Sequence, residues 1–319
     1  QEVITPLLYE KSLWLTSGHW EHFKENMFVL ESEGKEFALK PMNCPSHVLI
    51  YKSKSRSYKD LPWRIADFAP LHRNELSGVL TGLTRVRKMS QDDAHIFIMH
   101  EQIEEEILKV LDFTHYIYNE VFDFEYNVEL STRPEKYMGS LDDWNRAEDA
   151  LKKALERKKI KYEIKEGDGA FYGPKIDFHI KDAIGRGWQL ATIQLDFQLP
   201  ERFDATYVGA DNSKHPVVMI HRALLGSIER FIGILVEHYA AKLPLWLTPV
   251  QVRILTVADR FEDYAKKIKE DFEKNNIRIE IDPRAESIGY KVREAQHQKI
   301  PLILTVGEKE EKNRTVAVR

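Results

Sequence analysis

The feature that most constrains the fold of this chain is a change of pattern at residues 243–250, L-P-L-W-L-T-P-V. Two prolines flank Trp246 there, and proline interrupts helices and central strands because it lacks a backbone N–H. Beyond this segment strand-like and helix-like patterns alternate, whereas before it strand-like runs come in pairs. A chain of 319 residues is long enough for two domains. We therefore predict one domain at 1–245 and a second at 246–319.

The C-terminal segment is predicted to be a small α/β domain. Apolar and β-branched runs predict strands at 250–257, 277–282 and 300–306. Phe261, Ala265 and Phe272 recur at helical spacing, and helices are expected at 260–274 and 286–298. Strands and helices that alternate with short connections are typical of this layout.

The first 245 residues favour an α+β class with an antiparallel sheet, because neighbouring strands lack crossover helices. Helices are expected at 101–119, 140–158 and 222–240. Strands are expected at 64–73, 83–99, 161–166, 175–182, 186–197 and 215–220. Residues 175–197 are predicted to form a hairpin that turns at 182–187.

The composition is that of a soluble globular protein, with 43% hydrophobic and 31% charged residues. No run approaches the ~18 consecutive apolar residues of a membrane helix, so no membrane partner is expected. A single cysteine favours a reducing, cytoplasmic compartment. The net charge of −4 gives no global positive field, but an RNA partner needs only a local basic face. The start Q-E-V-I-T-P and the strand-like end T-V-A-V-R suggest a fragment of a longer protein.

Charged residues are concentrated on one side of the predicted strand pair at 64–97. In an unbulged strand, odd-numbered residues share a face, and here they are Arg73, Glu75, Arg85, Arg87, Gln91, Asp93 and His95. One interpretation is an exposed edge hairpin with ion pairs. The other is a polar active-site floor on which arginines hold phosphates through bidentate hydrogen bonds.

The predicted helix at 222–240 carries two glycines and an arginine on one face, Gly226, Arg230 and Gly233. Each glycine inside a helix costs roughly 0.8–1 kcal/mol relative to alanine, which suggests that something approaches the backbone closely. Either a strand packs tightly there or a flat ligand lies against Arg230.

The only cysteine, Cys44, lies in K-P-M-N-C-P-S-H at 40–47. A free cysteine is most often a small buried hydrophobe, but it can also be a nucleophile or a metal ligand. No C-x-x-C or H-x-x-x-H motif indicates a structural zinc site. With twelve histidines in the chain, spacing alone does not choose between these roles.

Several segments together resemble a known family. L-H-R-N-E and T-R-V-R-K-M-S-Q-D-D-A-H-I-F resemble motif 2 of class II aminoacyl-tRNA synthetases, A-L-L-G-S-I-E-R-F resembles motif 3, and Q-E-V-I-T-P resembles the end of motif 1. N-C-P-S-H, S-T-R-P-E-K, G-A-F-Y-G-P-K-I-D, I-Q-L-D-F and V-M-I-H-R-A are similar to segments of threonyl-tRNA synthetases. The resemblance covers the whole chain.

The resemblance implies a catalytic domain followed by an anticodon-binding domain, without the family's separate editing domain. The implied reaction activates L-threonine with ATP to threonyl-adenylate and transfers it to tRNA(Thr). The implied cofactors are one zinc ion, held by Cys44, His95 and His221, and Mg²⁺ with ATP. Three protein ligands with an open position are typical of catalytic zinc. Zinc would contact the threonine amino group and hydroxyl, and the enzyme is expected to be a homodimer.

The resemblance also implies roles for individual residues. The residues expected to bind threonine are Asp93, Gln91, Tyr172 and Arg73. The residues expected to bind ATP are Arg73, Glu75, Arg85, Val86, Lys175, Gln189, Thr192 and Arg230. His19 corresponds to a histidine implicated in transfer to tRNA, and Arg293, Glu310 and Arg319 correspond to anticodon contacts. Ala285, Lys299 and Ser46 depart from the residues that many relatives carry there.

Two alternatives remain open from the sequence. One is a synthetase-like protein that binds RNA in regulation without catalysis. The other is a synthetase for another amino acid, such as proline or serine.

Overall fold

The computed structural model describes residues 1–182 and 184–319. Its contacts divide the chain into unit 1, Gln1–Ile234, and unit 2, Leu235–Arg319. This division falls before the proline-flanked segment at 243–250, and the domain boundary at 245/246 stays a prediction. None of the helices in the described residues is long and apolar enough to cross a membrane.

Unit 1 contains most of the strands and helices. Its strands are β1 (Leu8–Glu10), β2 (Val29–Ser32), β3 (Lys35–Leu39), β4 (Trp63–Asp67), β5 (Pro70–His72), β6 (Lys88–Ser90), β7 (Asp93–Ile98), β8 (Tyr126–Ser131), β9 (Glu163–Lys165), β10 (Lys175–Lys181), β11 (Gly187–Asp196), β12 (Thr206–Val208), β13 (Lys214–Pro216) and β14 (Val218–Ala223). Its helices are α1 (Lys11–Thr16), α2 (His19–His22), α3 (Cys44–Lys52), α4 (Ile103–His115), α5 (Leu141–Arg157) and α6 (Gln198–Arg202). Helix α7 (Ile228–His238) begins in unit 1 and ends in unit 2.

The main sheet has the strand order β4-β7-β14-β11-β10-β8-β9. Its neighbours pair antiparallel except β8 and β9, which are parallel. The predicted α+β class is therefore confirmed. Strands β7 and β14 are buried almost throughout, as expected for strands in the interior of a sheet that is covered by other elements.

Helices α4 and α5 pack against this sheet through apolar stripes. In α5, Trp144, Ala147 and Leu151 are buried at helical spacing. The helix begins where the Ser140 hydroxyl accepts a hydrogen bond from the backbone N–H of Asp143 at 3.1 Å, and a cap of this kind stabilises a helix by about 1 kcal/mol. The predictions at 101–119 and 140–158 match α4, its π-helical continuation Tyr116–Val121, and α5.

Two of the predicted long strands are wrong, because each is broken into two. The run at 64–73 divides into β4 and β5, and the run at 83–99 divides into β6 and β7. Strands β5 and β6 form a separate two-stranded ribbon. Pro70 lies at the first break, and proline cannot donate a ladder hydrogen bond. Arg73, Glu75, Arg85 and Arg87 therefore lie in the loop beyond the ribbon, not on one face of a continuous strand.

The predicted helix at 222–240 also begins too early. Residues 218–223 form β14, and Gly226 adopts φ +67°, a left-handed conformation that cannot continue a helix. The predicted strand at 215–220 is divided between β13 and β14 near Pro216. The sequence prediction assigned no elements to residues 1–60, where β1 to β3 form a small sheet and α1 to α3 lie.

The predicted hairpin at 175–197 corresponds to β10 and β11, and residue 183 of its turn lies outside the described residues. Asp182 stabilises this turn. Its carboxylate accepts hydrogen bonds from the backbone N–H groups of Ile184 and Arg186, at 3.1 and 2.8 Å, and from the Trp188 indole at 2.9 Å. Although burial acts to raise it, these hydrogen bonds and that of the Arg186 guanidinium lower the pKa of Asp182 to about 2.

Unit 2 follows the predicted α/β alternation. Its elements after α7 are β15 (Val252–Thr256), α8 (Glu262–Glu273), β16 (Ile279–Asp282), α9 (Ile288–His297), β17 (Leu302–Val306), α10 (Glu308–Asn313) and β18 (Ala317–Val318). The strand order is β16-β15-β17-β18, with the first three strands parallel. Lys291 of α9 is 2% exposed, and its ammonium donates to the carbonyls of Thr256 and Asp282 at 2.9 and 3.1 Å.

Candidate active site

Sheet pairing brings together three donor residues that lie far apart in the sequence. His95 of β7 lies directly opposite His221 of β14 in the strand register, and Cys44 is the first residue of α3. The ligand atoms of the three residues all lie within 4.8 Å of one another. The nearest ring nitrogens, His95 Nε2 and His221 Nδ1, are 3.0 Å apart.

The protonation of this cluster suits a metal ion. Burial, together with Asp93 and Asp196, raises the pKa of the Cys44 thiol, and a coordinating metal deprotonates a thiol. Burial, followed by the neighbouring His221, holds the pKa of His95 well below its usual value, so this imidazole is neutral. Asp196 Oδ2 lies 2.8 Å from His221 Nε2. This contact places the ring proton on Nε2 and leaves Nδ1 with a lone pair that can bind a metal ion. One sulfur and two imidazole nitrogens fit zinc with an open fourth position.

A cavity of about 80 Å³ opens beside these donors. A single water needs about 10–15 Å³ counted the same way, so the cavity accepts a ligand of several heavy atoms. Its walls are Met42, Cys44, Arg73, Gln91, Asp93, Tyr172, Thr192, Gln194, His221, Arg222 and Ala223. Seven of these eleven residues are among the predicted site residues, whereas Met42, Gln194, Arg222 and Ala223 were not predicted.

Asp93 is held in the cavity wall by a residue that the sequence prediction missed. The Asn43 amide donates to Asp93 Oδ2 at 3.0 Å, and both side chains are buried. Tyr172 stacks on the His221 ring, with centroids 4.8 Å apart and planes 19° apart, and its hydroxyl donates to Gln194. Gln194 and Asp196 both lie in I-Q-L-D-F, so this motif was the available signal for them.

The predicted ATP-binding arginines have different surroundings. Arg73 is half-buried and lines the cavity. Arg85 is exposed and pairs with Glu75 at 2.9 Å, and Val86 is half-buried beside it. Residues 64–97 therefore contain both an ion pair, Arg85–Glu75, and part of a polar cavity wall, and the binding of phosphates by these arginines stays a prediction.

Arg230 of α7 is held by backbone carbonyls on two sides. Its Nε donates to Thr84 at 2.7 Å and its Nη1 to Gln189 at 3.1 Å. The guanidinium also lies 5.3 Å from the centroid of the Trp188 ring, a cation–π distance. These contacts fix the position of the guanidinium between the 84–85 loop and β11.

The predicted residues Lys175, Gln189 and Thr192 converge on Asp177, which the sequence prediction missed. Asp177 is 1% exposed. Its carboxylate lies 2.7 Å from the Lys175 ammonium and accepts a hydrogen bond from the Thr192 hydroxyl at 2.8 Å. It also accepts one from the Gln189 amide. Asp177 thus orients three side chains on β10 and β11.

Asp92 binds the turn that leads into α7. Its buried carboxylate accepts hydrogen bonds from the backbone N–H groups of Leu224, Leu225 and Gly226 at 2.8, 3.0 and 3.0 Å. Burial raises the pKa of Asp92 to about 6, although these donors lower it. A Cβ at Gly226 would lie 2.6 Å from the carbonyl oxygen of Leu190. Packing against a strand is thus the correct explanation for Gly226.

The contacts of Gly233 are ordinary. A Cβ there would lie 3.5 Å from Leu83, which is van der Waals distance. The expected common face of Gly226, Arg230 and Gly233 is therefore wrong, since Gly226 precedes the helix.

His19 is fully buried behind the cavity wall. Its Nδ1 lies 2.8 Å from the Ser17 hydroxyl and its Nε2 lies 3.3 Å from the sulfur of Met42, which lines the cavity. Burial, followed by His221 and His22, lowers the pKa of His19 to about 3. The imidazole is therefore neutral and separated from the cavity by one side chain.

The predicted anticodon contacts lie on two helices of unit 2 and at the end of the chain. Arg293 is exposed on α9 and Arg319 is exposed at the end of the chain. Glu310 of α10 accepts a hydrogen bond from the backbone N–H of Gly307 at 3.0 Å, so it also caps its own helix. Lys299, one of the departures from the family, adopts φ +58°.

Comparison with known proteins identifies both parts of the chain. Residues 28–239 match the tRNA synthetase class II core domain (G, H, P, S and T), and residues 251–319 match an anticodon binding domain. The threonine–tRNA ligases of Acetivibrio thermocellus and Caldanaerobacter subterraneus are 58% and 54% identical over 319 residues. These matches cover all of this chain but only 50% and 49% of the relatives, so the chain spans about half their length.

Solved structures show the same relationship. The crystal structure described as the RNA binding domain of threonyl-tRNA synthetase from Cryptosporidium parvum is 45% identical with a TM-score of 0.97. That match covers all of this chain and 80% of the other. The chain, with its class II core and its anticodon-binding domain, therefore belongs to the threonyl-tRNA synthetase family.

Proposed function

We propose that this chain carries the catalytic and anticodon-binding parts of a threonine–tRNA ligase. The observation that carries the proposal is the cavity in whose wall Cys44, His221, Asp93 and Arg73 meet. It joins a metal-binding donor set, a carboxylate held by Asn43 and a cation at a site that accepts a ligand of several heavy atoms. The relatives named threonine–tRNA ligase support the choice of substrate.

Selection of threonine would rest on its hydroxyl group. Threonine and valine have the same shape, and an apolar pocket separates such isosteres by only about 10²-fold, whereas a site that hydrogen-bonds the hydroxyl reaches about 10⁴–10⁵. Asp93, held by the Asn43 amide, is an acceptor for that hydroxyl. With valine bound, its buried carboxylate would face a methyl group and lose a partner. Zinc, when held by Cys44, His95 and His221, supplies a Lewis acid for the amino and hydroxyl groups.

Activation would join the threonine carboxylate to ATP. A carboxylate oxygen forms a bond to the α-phosphorus, the bond from that phosphorus to the β-bridging oxygen breaks, and pyrophosphate leaves. Catalysis of such a step depends on positioning and charge neutralisation. Arg73, which lines the cavity, would contact the carboxylate and the α-phosphate, and Lys175, Arg85 and Arg230 would supply further positive charge. Magnesium would enter with ATP as part of the substrate.

Threonine-dependent ATP–pyrophosphate exchange tests this proposal. We expect exchange to be lost in Cys44→Ala and His221→Ala and kept in the control His297→Ala, which changes an exposed histidine of unit 2. Normal exchange in zinc-stripped protein would contradict the zinc role. Absent exchange with zinc bound would favour a non-catalytic RNA-binding protein, and activation of proline or serine would favour another synthetase.

The proposed partners are tRNA(Thr) and a second copy of the chain, and the proposed compartment is the cytoplasm. Exposed apolar side chains near the start of unit 1, Ile4, Leu7, Leu8 and Leu15, support a homodimer interface there. Sedimentation equilibrium of the wild type and of Leu8→Glu tests this assembly.

Recognition of the anticodon is tested by comparing the affinity of the chain for tRNA(Thr) with its affinity for the same tRNA with a changed anticodon. A difference between the two affinities that disappears when Arg293, Glu310 or Arg319 is replaced would support readout by these residues.

A further inference from the structure

A third histidine, His47, contacts the cluster of Cys44, His95 and His221 but is not one of its three donor residues. It is one turn after Cys44 on α3 and is fully buried. Its Nδ1 lies 2.7 Å from Nδ1 of His95, and the two rings are nearly perpendicular, with centroids 4.7 Å apart. His47 therefore contacts the Nδ1 edge of the His95 ring, whereas Nε2 of the same ring contacts His221.

The other nitrogen of His47 faces a buried carboxylate. His47 Nε2 lies 3.9 Å from Asp67 Oδ2. This distance is too long for a hydrogen bond, but the charge of the carboxylate still acts on the imidazole because both groups are buried. The same oxygen accepts a hydrogen bond from the Thr5 hydroxyl at 2.7 Å and lies 3.4 Å from the Lys40 ammonium. Both Lys40 and Asp67 are fully buried, and a buried charge is kept only where it is paired. Asp67 is thus a fixed negative charge behind His47.

This arrangement determines where the ring protons lie. Two ring nitrogens 2.7 Å apart can share only one proton between them. The negative charge of Asp67 favours the proton of His47 on Nε2, which leaves Nδ1 as an acceptor for the N–H of His95. His95 Nε2 then carries a lone pair. It faces His221 Nδ1, whose own lone pair is left free by the hydrogen bond to Asp196.

We propose that His47, whose Nε2 faces the Asp67 carboxylate, is a positioning residue for the metal site. It keeps His95 in the tautomer and orientation in which Nε2 points at His221 Nδ1. Asp196 does the same for His221, so a buried carboxylate supports each imidazole ligand, Asp196 directly and Asp67 through His47. The inference rests on the proposed function, because the zinc role of the cluster belongs to that proposal.

Two polar replacements of His47 separate positioning from packing. In His47→Asn, the amide oxygen takes the place of Nδ1 and can accept the hydrogen bond of His95. In His47→Gln, the amide lies at the place of Nε2, so the acceptor at Nδ1 is lost although the volume is closer to that of histidine. A packing role predicts that Gln is tolerated better than Asn, and the positioning role predicts the reverse order.

The measurement is the affinity of the 319-residue chain for Zn²⁺, by competition with a chromogenic chelator. Loss of an outer partner of a metal-bound histidine weakens metal affinity by about 10–100-fold, and we expect a loss of this size in His47→Gln. His47→Asn should remain within about 3-fold of the wild type, less than 1 kcal/mol. In long-range ¹H–¹⁵N spectra, the proton of His95 should lie on Nδ1 in the wild type and in His47→Asn, with tautomers mixed in His47→Gln.

Cys44→Ala distinguishes failure of this inference from failure of the proposed function. If Cys44→Ala abolishes zinc binding while both His47 variants bind zinc like the wild type, the role of His47 is wrong and the zinc site stands. Equal weakening in both variants also overturns the inference, since it indicates packing alone. If the wild type binds no zinc, or Cys44→Ala binds it unchanged, the proposed zinc site fails and this inference fails with it.

Discussion

The turn that leads into α7 depends on a single carboxylate, and replacing Asp92 tests this dependence. In Asp92→Asn, the amide oxygen can accept two of the three backbone N–H bonds, and the amide N–H₂ then faces the third donor, the N–H of Leu224. A buried donor left without a partner costs about 1–3 kcal/mol. The variant also loses the ion pair with Arg222, at 3.5 Å, but no longer buries a charge. We expect a net loss of about 2 kcal/mol in the free energy of unfolding.

Asp92→Ala removes all three acceptor contacts and leaves a small void. We expect a loss of about 4 kcal/mol, which is in the range of the most damaging single substitutions. Asp149→Asn is the matched control, because Asp149 is exposed on α5, and it should change stability by less than about 0.5 kcal/mol.

Urea unfolding monitored by tryptophan fluorescence measures these losses. Five of the six tryptophans lie in residues 1–234, so the signal reports mainly unit 1. The experiment should be run at pH 8, because the pKa of Asp92 is raised to about 6 and the carboxylate is then ionised. Losses below about 1 kcal/mol in both variants, or equal losses in Asn and Ala, would refute the reasoning that three backbone donors depend on this side chain.

Three further predictions concern other parts of the chain. Gly226→Ala should lower the free energy of unfolding by at least about 2 kcal/mol, since its φ is +67° and the new Cβ would lie 2.6 Å from a backbone oxygen of β11. Gly78→Ala is the control, because a Cβ there meets nothing within 4 Å, and equal urea midpoints for the two variants would contradict the prediction. The pKa of Asp182 is about 2 in the folded protein, below its unfolded value, so the carboxylate stabilises the fold above about pH 4 and this stabilisation is lost as the pH falls toward 2. The difference in unfolding free energy between the wild type and Asp182→Asn should therefore shrink over that range, and a difference independent of pH would be contrary evidence. Lys291→Met removes the ammonium that donates to the buried carbonyls of Thr256 and Asp282, of which Asp282 still accepts a hydrogen bond from the Thr256 hydroxyl at 3.3 Å. We expect unit 2 to be destabilised by about 1–3 kcal/mol, measured by hydrogen exchange, whereas Lys267→Met on the exposed face of α8 should have no effect.

The elements with strong local periodicity were predictable from the sequence. Helix α5 was found within one residue at each end, because its apolar stripe, its Ser140 cap and its acidic first turn are local signals. The alternating strands and helices of unit 2 were predictable for the same reason. The strand breaks at Pro70 and at the β6–β7 junction were missed, because a continuous apolar pattern does not show that two halves of it join different sheets.

The candidate site divides in the same way. The resemblance named Cys44, His95 and His221, and motif 2 and motif 3 supplied the arginines. The residues that orient these groups lie in quoted motifs, Asn43 and His47 in N-C-P-S-H, Asp177 in G-A-F-Y-G-P-K-I-D and Asp196 in I-Q-L-D-F, but these motifs do not say which side chains contact which. Their partners are set by which strands are neighbours, so the sequence prediction did not find them.

The sequence by itself therefore determined the class of the fold, the family and the residue types available for chemistry. The tertiary structure alone decided that the donor atoms of the cluster lie within 4.8 Å of one another, that Asp196 contacts His221, and that Asp67 faces His47 beside His95. The physical reason is that local periodicity specifies which face of a strand is buried. The register between β7 and β14, 126 residues apart at His95 and His221, is selected instead by the burial and hydrogen bonding of the whole sheet.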